Sequence, residues 1–172
     1  MHTVYFSLGT NLGDKEQNIL RAIEEIGKRI GPVKNQSGFL VTEPWGFMSK
    51  NRFLNAAIKV DTYLSPIDVL HITQSIEKEL GRTSKSKKRR YKDRIIDIDI
   101  LLFYNNDGND GEDGIHIDTP ELTIPHPLMN ERDFVLIPLS EIITKIQQAL
   151  LLYYAHIHPL WKTSVDQHSR EI

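Results

Sequence analysis

The sequence predicts one α+β domain whose core is a ferredoxin-like split βαβ unit, in the order strand, helix, strand, strand, helix, strand (βαββαβ). Two observations lead to this fold class. Short runs alternate apolar and polar residues, which is typical of half-buried strands, and two intervening segments repeat apolar residues at helical spacing. A chain of 172 residues that is 40% hydrophobic can form one ordinary core. We therefore expect a single domain over 1–172, with a C-terminal helical extension.

The first strand and the first helix are predicted from adjacent patterns. Val4, Phe6 and Leu8 alternate with the residues between them, as in a strand, and the turn-rich segment 9–13 ends that strand. Asp14 is a suitable N-cap for the helix that follows. Apolar residues then recur with helical spacing at Ile19, Ala22, Ile23, Ile26 and Ile30.

The middle of the chain predicts two more strands and a second helix. Strands over 33–42 and 53–62 are separated by a loop that contains proline and glycine. Ser65 followed by Pro66 is typical of an N-cap with proline at the first helical position, and Gly81 ends the helix. Its apolar stripe comprises Ile67, Leu70, Thr73, Ile76 and Leu80.

Patterns in the last third of the chain are weaker. The segment 105–121 carries six acidic residues, three glycines and no basic residue, which indicates an exposed loop with room for a short strand at 115–117. The alternative is an acidic surface that mimics a partner. An apolar run covers 134–139, the segment 140–154 has a helical pattern, and the tail 156–172 has no strong pattern.

Composition excludes several classes of protein. A formal net charge of −2 argues against a surface built wholly for nucleic acid or an anionic membrane. The absence of cysteine excludes disulfides and thiolate metal sites, so that a metal would need oxygen or imidazole ligands. The N-terminus lacks the features of a signal peptide, and no apolar run reaches the roughly 18 to 20 residues of a membrane span. We expect a cytoplasmic protein without a membrane partner.

A pair of aspartates follows a strongly basic segment. Eight Lys or Arg residues between Arg82 and Arg94 stand against one acidic residue, Asp93, for a formal charge of +7. On the fourth strand Asp97 and Asp99 would share one face, about 6 to 7 Å apart, and could flank two cations about 3.5 to 4 Å apart. The same alternation is typical of a solvated strand face. The basic neighbours favour a site for a metal-bound polyphosphate.

Six short motifs occur along the chain in a fixed order. They are Gly9-Thr10-Asn11-Leu12-Gly13, Thr42-Glu43-Pro44-Trp45-Gly46, Phe53-Leu54-Asn55-Ala56-Ala57, Glu77 with Gly81-Arg82, Arg94-Ile95-Ile96-Asp97-Ile98-Asp99, and Pro125-His126-Pro127 followed by Arg132 and Phe134. In this order and spacing they resemble the 6-hydroxymethyl-7,8-dihydropterin pyrophosphokinase family over about 4–141. The resemblance implies an α+β fold and a folate-pathway transferase. It would move pyrophosphate from ATP to the pterin hydroxymethyl group with two magnesium ions and release AMP.

The resemblance also implies roles for individual residues at the phosphate end. Catalytic roles fall to two arginines and two aspartates: Arg82, Arg94, Asp97 and Asp99. Both aspartates would hold the magnesium ions, which prefer oxygen ligands. Contacts with ATP would come from Gln74, Glu77, Lys85, Tyr91, Arg94, Ile100 and His126. Tyr91 stands where other members of the family carry tryptophan.

A pterin is flat, aromatic and edged with donors and acceptors, so its site needs stacking faces and fixed polar groups. The resemblance assigns this site to Thr42, Pro44, Trp45, Phe53, Asn55, Asp97 and Phe134. Phe53 and Phe134 would stack on the ring, and the Asn55 amide would pair with its edge. Without the resemblance, both phenylalanines would be assigned to the core.

Two other functions compete with this interpretation. A nucleic-acid-binding module of the same fold could use the basic loop 82–94, although the aromatic strand signature of an RNA-recognition module is missing. A P-loop kinase is excluded because no Lys-Ser/Thr follows Gly13. A ligand-sensing module would have little use for two aspartates beside arginines. We expect a monomer that binds ATP and a reduced pterin but not nucleic acid.

Overall fold

The computed structural model describes residues 1–81, 92–106 and 113–143. The helices and strands of these residues, in chain order, are β1 His2–Thr10, α1 Lys15–Arg29, β2 Val33–Gln36, β3 Leu40–Thr42, β4 Phe53–Thr62, α2 Pro66–Glu79, β5 Asp97–Asn105, β6 Asp113–Gly114, β7 Ile117–Asp118, β8 Thr123–Ile124 and α3 Asp133–Ser140, with a 3₁₀ turn at Met129–Glu131. They form a mixed α/β fold with an antiparallel sheet and three α-helices.

Both predicted helix caps are present. The Asp14 side chain accepts a hydrogen bond from the Gln17 N–H at 3.1 Å and begins α1. Ser65 likewise accepts from the Asp68 N–H at 3.2 Å, with Pro66 as the first residue of α2. Each side-chain oxygen satisfies a backbone donor that has no partner inside its helix. The local sequence therefore determines where both helices begin.

The main sheet has the strand order β2-β4-β1-β5-β6, and β3 also pairs with β4. The predicted single strand over 33–42 is in fact two strands, because the ladder is interrupted at Ser37. The buried Ser37 hydroxyl accepts from the Ala57 N–H at 2.9 Å, while the Ser37 N–H donates to the Ala57 carbonyl. A side-chain oxygen thus replaces a backbone acceptor at this point.

Helices cover both faces of the sheet. One apolar cluster joins β1 to α1 and α2 through residues such as Phe6, Ile26 and Ile76. A second cluster joins Tyr5 and Leu101 to α3 on the opposite face. The apolar run at 134–139 is therefore a helix packed on the sheet. The helix predicted over 140–154 is wrong in its described part, because α3 ends at Ser140 and residues 141–143 form a turn and bend.

A bulge in β5 separates its two halves. Tyr5 pairs with Leu102 whereas Phe6 pairs with Ile100, which leaves Leu101 as the extra residue. Among the described strands, β6 pairs with β5 only at Tyr104 and Asn105. The first half of β5 is consequently an open sheet edge, and the cleft described below lies there.

The acidic segment differs in detail from the prediction. The bounds of the short strand expected at 115–117 are wrong: the described part has strands at Asp113–Gly114 and Ile117–Asp118, so that only Ile117 of the three residues is in a strand. Residues 115 and 116 connect them, and the Ile115 N–H donates to the Phe103 carbonyl at 2.8 Å. In the three described stretches, no helix is long and apolar enough to cross a membrane.

Candidate active site

An open cleft of about 410 Å³ lies beside the first half of β5. Its walls come from β1, β3, β4 and β5, from α2, from the loops before β4 and β5, and from parts of 121–134, which include the second residue of α3. Gly9 and Ser7 form part of it, opposite Asp97 and Asp99 in the sheet. A Cβ atom at Gly9 would stand 3.3 Å from Asn55 Oδ1, so that glycine leaves room for the amide.

Two carboxylates stand at the centre of the cleft. Asp97 and Asp99 are next-nearest neighbours in β5 and share the face opposite Ile98, with side chains 20% and 35% exposed. Asp97 accepts a hydrogen bond from Arg94, and Asp99 Oδ2 lies 4.0 Å from Arg132 Nη1. Each carboxylate therefore lies beside a guanidinium, a group that can also hold phosphate oxygens.

The donor set fits a hard divalent cation that shares its coordination with a substrate. Within residues 1–81, 92–106 and 113–143, no group of three or more His, Asp or Glu residues could enclose a metal by itself. Asp97 and Asp99 supply carboxylate oxygens only. Magnesium typically takes one or two carboxylates and completes its six positions with phosphate oxygens and water. The residues present fit such an ion only when a phosphate is also bound.

Arg132 belongs to the last of the six motifs, but the sequence alone assigns it no role. It is only 7% exposed, and its guanidinium lies 4.9 Å from the centre of the Trp45 ring and 5.7 Å from that of Phe134. A guanidinium stacks well on aromatic faces because it is planar and weakly hydrated. Arg132 thus contacts both the aromatic rings of Trp45 and Phe134 and the carboxylate of Asp99.

Aromatic side chains form the side of the cleft away from α2. Trp45 and Phe134 have ring centres 6.2 Å apart, and Phe47 and Phe53 have theirs 6.1 Å apart. Arg94 lies over the Phe53 ring at 5.7 Å. All four rings line the cleft, so Phe53 is both a buried residue and a wall of the site.

Asn55 is 2% exposed, and protein groups use both of its amide hydrogens. Its Nδ2 donates to Thr42 Oγ1 at 2.8 Å and to the Leu40 carbonyl at 3.3 Å. Because Thr42 Oγ1 accepts from Asn55, the Thr42 hydroxyl hydrogen can donate elsewhere. The pair therefore offers the cleft one acceptor, Asn55 Oδ1, and one donor.

Glu77 connects α2 to the open edge of β5. It is 3% exposed, and its Oε1 accepts from the Ile98 N–H at 2.7 Å. The Ile98 N–H therefore points away from β1, and Ile100 has the same orientation by strand alternation. Glu77 and Ile100 line the cleft, whereas Gln74 and Pro44 are half-buried and are not among its described lining residues.

Replacing Glu77 with alanine is expected to destabilise the protein by about 1 to 3 kcal/mol, because the Ile98 N–H would lose its acceptor in a buried position. Glu77→Gln keeps an Oε1 atom and should retain most of the stability. Urea unfolding of the two variants measures this difference. Equal stability of the alanine and glutamine variants would contradict the structural role of this carboxylate.

His126 is neutral at physiological pH. Burial, together with the nearby Arg132 cation, lowers the pKa of His126 to about 4. Its Nδ1 accepts from the Leu128 N–H at 3.2 Å, so the single ring proton resides on Nε2. His126 lines the cleft and can act there as a hydrogen-bond donor.

The low pKa of His126 predicts a pH-dependent stability. An unfolded histidine has a pKa of 6.5, so the unfolded chain binds more protons than the native protein as pH falls from 6.5 towards about 4. Wild type should therefore lose stability over this range, by up to about 3 kcal/mol. In urea unfolding at pH 7 and 5 with EDTA present, His126→Asn should lose less than wild type. The exposed His71→Asn is the control, and identical pH profiles for His126→Asn and wild type would contradict the assignment.

Three of the predicted site residues, Arg82, Lys85 and Tyr91, lie outside the described residues. The others that line the cleft come from segments far apart in the chain. They are Thr42, Trp45, Phe53, Asn55, Glu77, Arg94, Asp97, Asp99, Ile100, His126 and Phe134.

Comparison with known proteins places the chain in a family. Residues 5–144 match the family model of 7,8-dihydro-6-hydroxymethylpterin-pyrophosphokinase (HPPK). A 2-amino-4-hydroxy-6-hydroxymethyldihydropteridine pyrophosphokinase of Porphyromonas gingivalis is 48% identical over 144 residues, which are 83% of this chain and 91% of the relative. Proteins of the same name from Bacillus subtilis and Aquifex aeolicus are 37% and 34% identical, over 84% and 99% of this chain and 80% and 92% of theirs.

Solved structures agree with the fold. The HPPK-DHPS protein of Plasmodium falciparum matches with a TM-score of 0.58 at 16% identity, over 83% of this chain and 38% of that one. The chain thus spans about two-fifths of that larger protein, and the likeness concerns the fold alone. No comparison supports the nucleic-acid-binding alternative. The family model and the curated relatives together show that the chain belongs to the HPPK family.

Proposed function

We propose that the cleft binds ATP and 6-hydroxymethyl-7,8-dihydropterin side by side and passes pyrophosphate from the first to the second, releasing AMP. By its family and its relatives' names, the chain is a pyrophosphokinase of folate synthesis. One observation carries the proposal for this cleft. Asp97 and Asp99 each lie beside an arginine. The same cleft is lined by aromatic rings on one side and by Glu77 and His126 on the other.

The aromatic end has the chemistry that a pterin needs. Phe53 and Phe134 offer flat apolar surfaces, and Trp45 adds a third. Asn55 Oδ1 and the Thr42 hydroxyl can pair with one donor and one acceptor on the pterin edge. The sheet holds both groups in place before a ligand binds. This favours binding, because these side chains lose little conformational freedom when the ligand binds.

At the phosphate end, Asp97 and Asp99 would hold two magnesium ions that share the oxygens of the triphosphate. When bound, such ions neutralise the charge that develops during an in-line displacement at the β-phosphorus. Arg94, and Arg82 by family resemblance, would hold phosphate oxygens with two parallel N–H donors each. The Nε2–H of His126 supplies a further donor.

The nucleotide would extend from these phosphates along the open edge of β5. The backbone of Ile100 points outward there, beside the Ile98 N–H that Glu77 holds. The Ile98 N–H is already used by Glu77, so the outward N–H and C=O of Ile100 are the groups that can pair with the edge of an adenine base. For Lys85, Tyr91, Gln74 and Pro44 the assigned contacts rest on family resemblance alone.

We also infer the finer fold class, a ferredoxin-like core. The sheet order β2-β4-β1-β5 supports it, because α1 and α2 each connect two strands that have another strand between them. The C-terminal helical extension remains a prediction, and residues 144–154 lie outside the described part of the chain. A monomeric state likewise remains a prediction.

The activity is tested by mixing the protein with Mg-ATP and 6-hydroxymethyl-7,8-dihydropterin and separating the nucleotides. AMP that forms only in the presence of the pterin is the expected product. Formation of ADP, or no turnover, would contradict the proposal. Omitting magnesium should stop the reaction, because without the cations Asp97 and Asp99 would repel the triphosphate and the charge that develops during transfer would lack its main stabilisation.

A further inference from the structure

Three loops meet at one buried asparagine beside the cleft. Asn11 follows β1, is 2% exposed, and exchanges two hydrogen bonds with the backbone of Arg94. Its N–H donates to the Arg94 carbonyl at 3.1 Å, and its Oδ1 accepts from the Arg94 N–H at 2.8 Å. Its Nδ2 donates to the Asn51 carbonyl at 3.3 Å and to Asp93 Oδ1 at 2.7 Å. Asn11 therefore touches both the loop before β4 and the segment before β5.

Asp93 completes the connection between these two segments. Its second carboxylate oxygen, Oδ2, accepts from Asn51 Nδ2 at 2.9 Å. Hydrogen bonds from the Ser49 hydroxyl, Asn11 and Asn51 lower the pKa of Asp93, so the group is a carboxylate at neutral pH. The residue is exposed as a whole, yet both of its oxygens are engaged. We call Asn11, Asn51 and Asp93 the loop clasp.

The loop clasp joins two segments that each carry residues of the cleft. The loop 43–52 carries Trp45 and Phe47, which line the aromatic end. Asp93 is followed directly by Arg94, which bonds to Asp97 at the phosphate end. The clasp therefore fixes the distance between the aromatic wall and the arginine that faces the phosphates.

We infer that Asp93 is a positioning residue, which holds the aromatic loop 43–52 against the Arg94 segment before the pterin binds. This inference rests on the proposed function, because it assigns the aromatic end to the pterin. A loop that is already ordered loses less conformational freedom on binding. Loss of the clasp should therefore raise the KM for the pterin more than the KM for ATP.

Substitutions that exchange a side-chain amide for a carboxylate can break the clasp and then restore it. Asn51→Asp places a second carboxylate against Asp93, and turning this carboxylate over in place cannot restore the hydrogen bond, because both of its oxygens are acceptors. Asp93→Asn alone should be tolerated, because the Asn51 amide can turn to accept from the new donor. The double variant Asn51→Asp with Asp93→Asn has one amide and one carboxylate again, so the amide at position 93 can donate to the carboxylate at position 51. The amide oxygen at position 93 can still accept from Asn11.

Steady-state kinetics on the full chain test this design. Asn51→Asp should raise the KM for the pterin about tenfold and the KM for ATP less than about threefold, and the double variant should lie within about threefold of wild type. Asn35→Asp, the same substitution on exposed β2, is the control and should behave as wild type. An unchanged pterin KM in Asn51→Asp, an equal rise of both KM values, or a double variant as impaired as Asn51→Asp would overturn the inference.

Hydrogen exchange separates the clasp from the reaction itself. Amides of residues 43–52 should exchange faster in Asn51→Asp than in wild type, and the double variant should restore their protection. Unchanged exchange in Asn51→Asp would overturn the inference even for an active enzyme. A wild-type protein that forms no pterin-dependent AMP would overturn the proposed function, while the exchange result would still decide whether the clasp exists.

Discussion

Replacing Asp97 or Asp99 with alanine should abolish pyrophosphate transfer and leave the fold intact. In the proposed function each substitution would remove one of the two carboxylates that the described residues offer to the metal ions, so we expect kcat to fall by at least about 10³-fold. Both side chains are partly exposed, so the unfolding temperature should change little. AMP formation and circular dichroism measure the two effects.

Asp61 provides the matched control for these variants. It also lies on a strand, but it pairs with Thr3 at the end of β1 far from Gly9, and its carboxylate accepts from the Thr3 hydroxyl. Asp61→Ala should retain wild-type turnover. Unfolding of Asp97→Ala or Asp99→Ala would mean that the pair supports the structure and not a metal.

Arg94→Ala should lower kcat by about 10²- to 10³-fold, the usual effect of removing one preorganised donor to a reacting oxyanion. The guanidinium has two tasks, since it holds Asp97 in place and faces the cleft. Arg94→Lys keeps the charge but not the planar pair of donors, and it should recover only part of the loss. The measurement is kcat at saturating ATP and pterin.

Arg29→Ala is the control for Arg94, because Arg29 forms an exposed ion pair with Glu79 on the helical face. It should leave kcat unchanged. Full activity of Arg94→Lys would contradict the bidentate role, and full activity of Arg94→Ala would remove Arg94 from the site.

The sequence predicts the elements that local signals define. Asp14 and the Ser65-Pro66 pair carry their own capping chemistry, so both helix starts are readable without the rest of the molecule. Asp97 and Asp99 are predictable in the same way, because residues two apart in any strand share a face whatever packs against it.

Features that depend on contacts between residues far apart in the sequence cannot be predicted from local patterns. The break at Ser37 arises because its hydroxyl meets the Ala57 N–H across the sheet. The helix α3 has only eight residues, includes Pro138, and is stabilised by packing on the sheet, so its apolar run carries little periodicity.

The same limit applies within the site. Glu77 has the sequence context of an exposed helix residue, yet it is buried because it bonds to β5. Arg132 looks like an ordinary surface cation until the fold stacks it against Trp45. The loop clasp joins Asn11 to Asp93 across 82 positions, and no local pattern indicates such a contact.

The most direct test of the central claim follows the phosphorus atoms of ATP. ATP labelled at both the β- and γ-phosphorus is incubated with the protein, magnesium and 6-hydroxymethyl-7,8-dihydropterin, and the products are separated. If pyrophosphate moves as one unit, both labels leave with the pterin and the AMP carries neither. Transfer of the γ label alone, with labelled ADP left behind, would contradict attack at the β-phosphorus and with it the proposed function of the cleft.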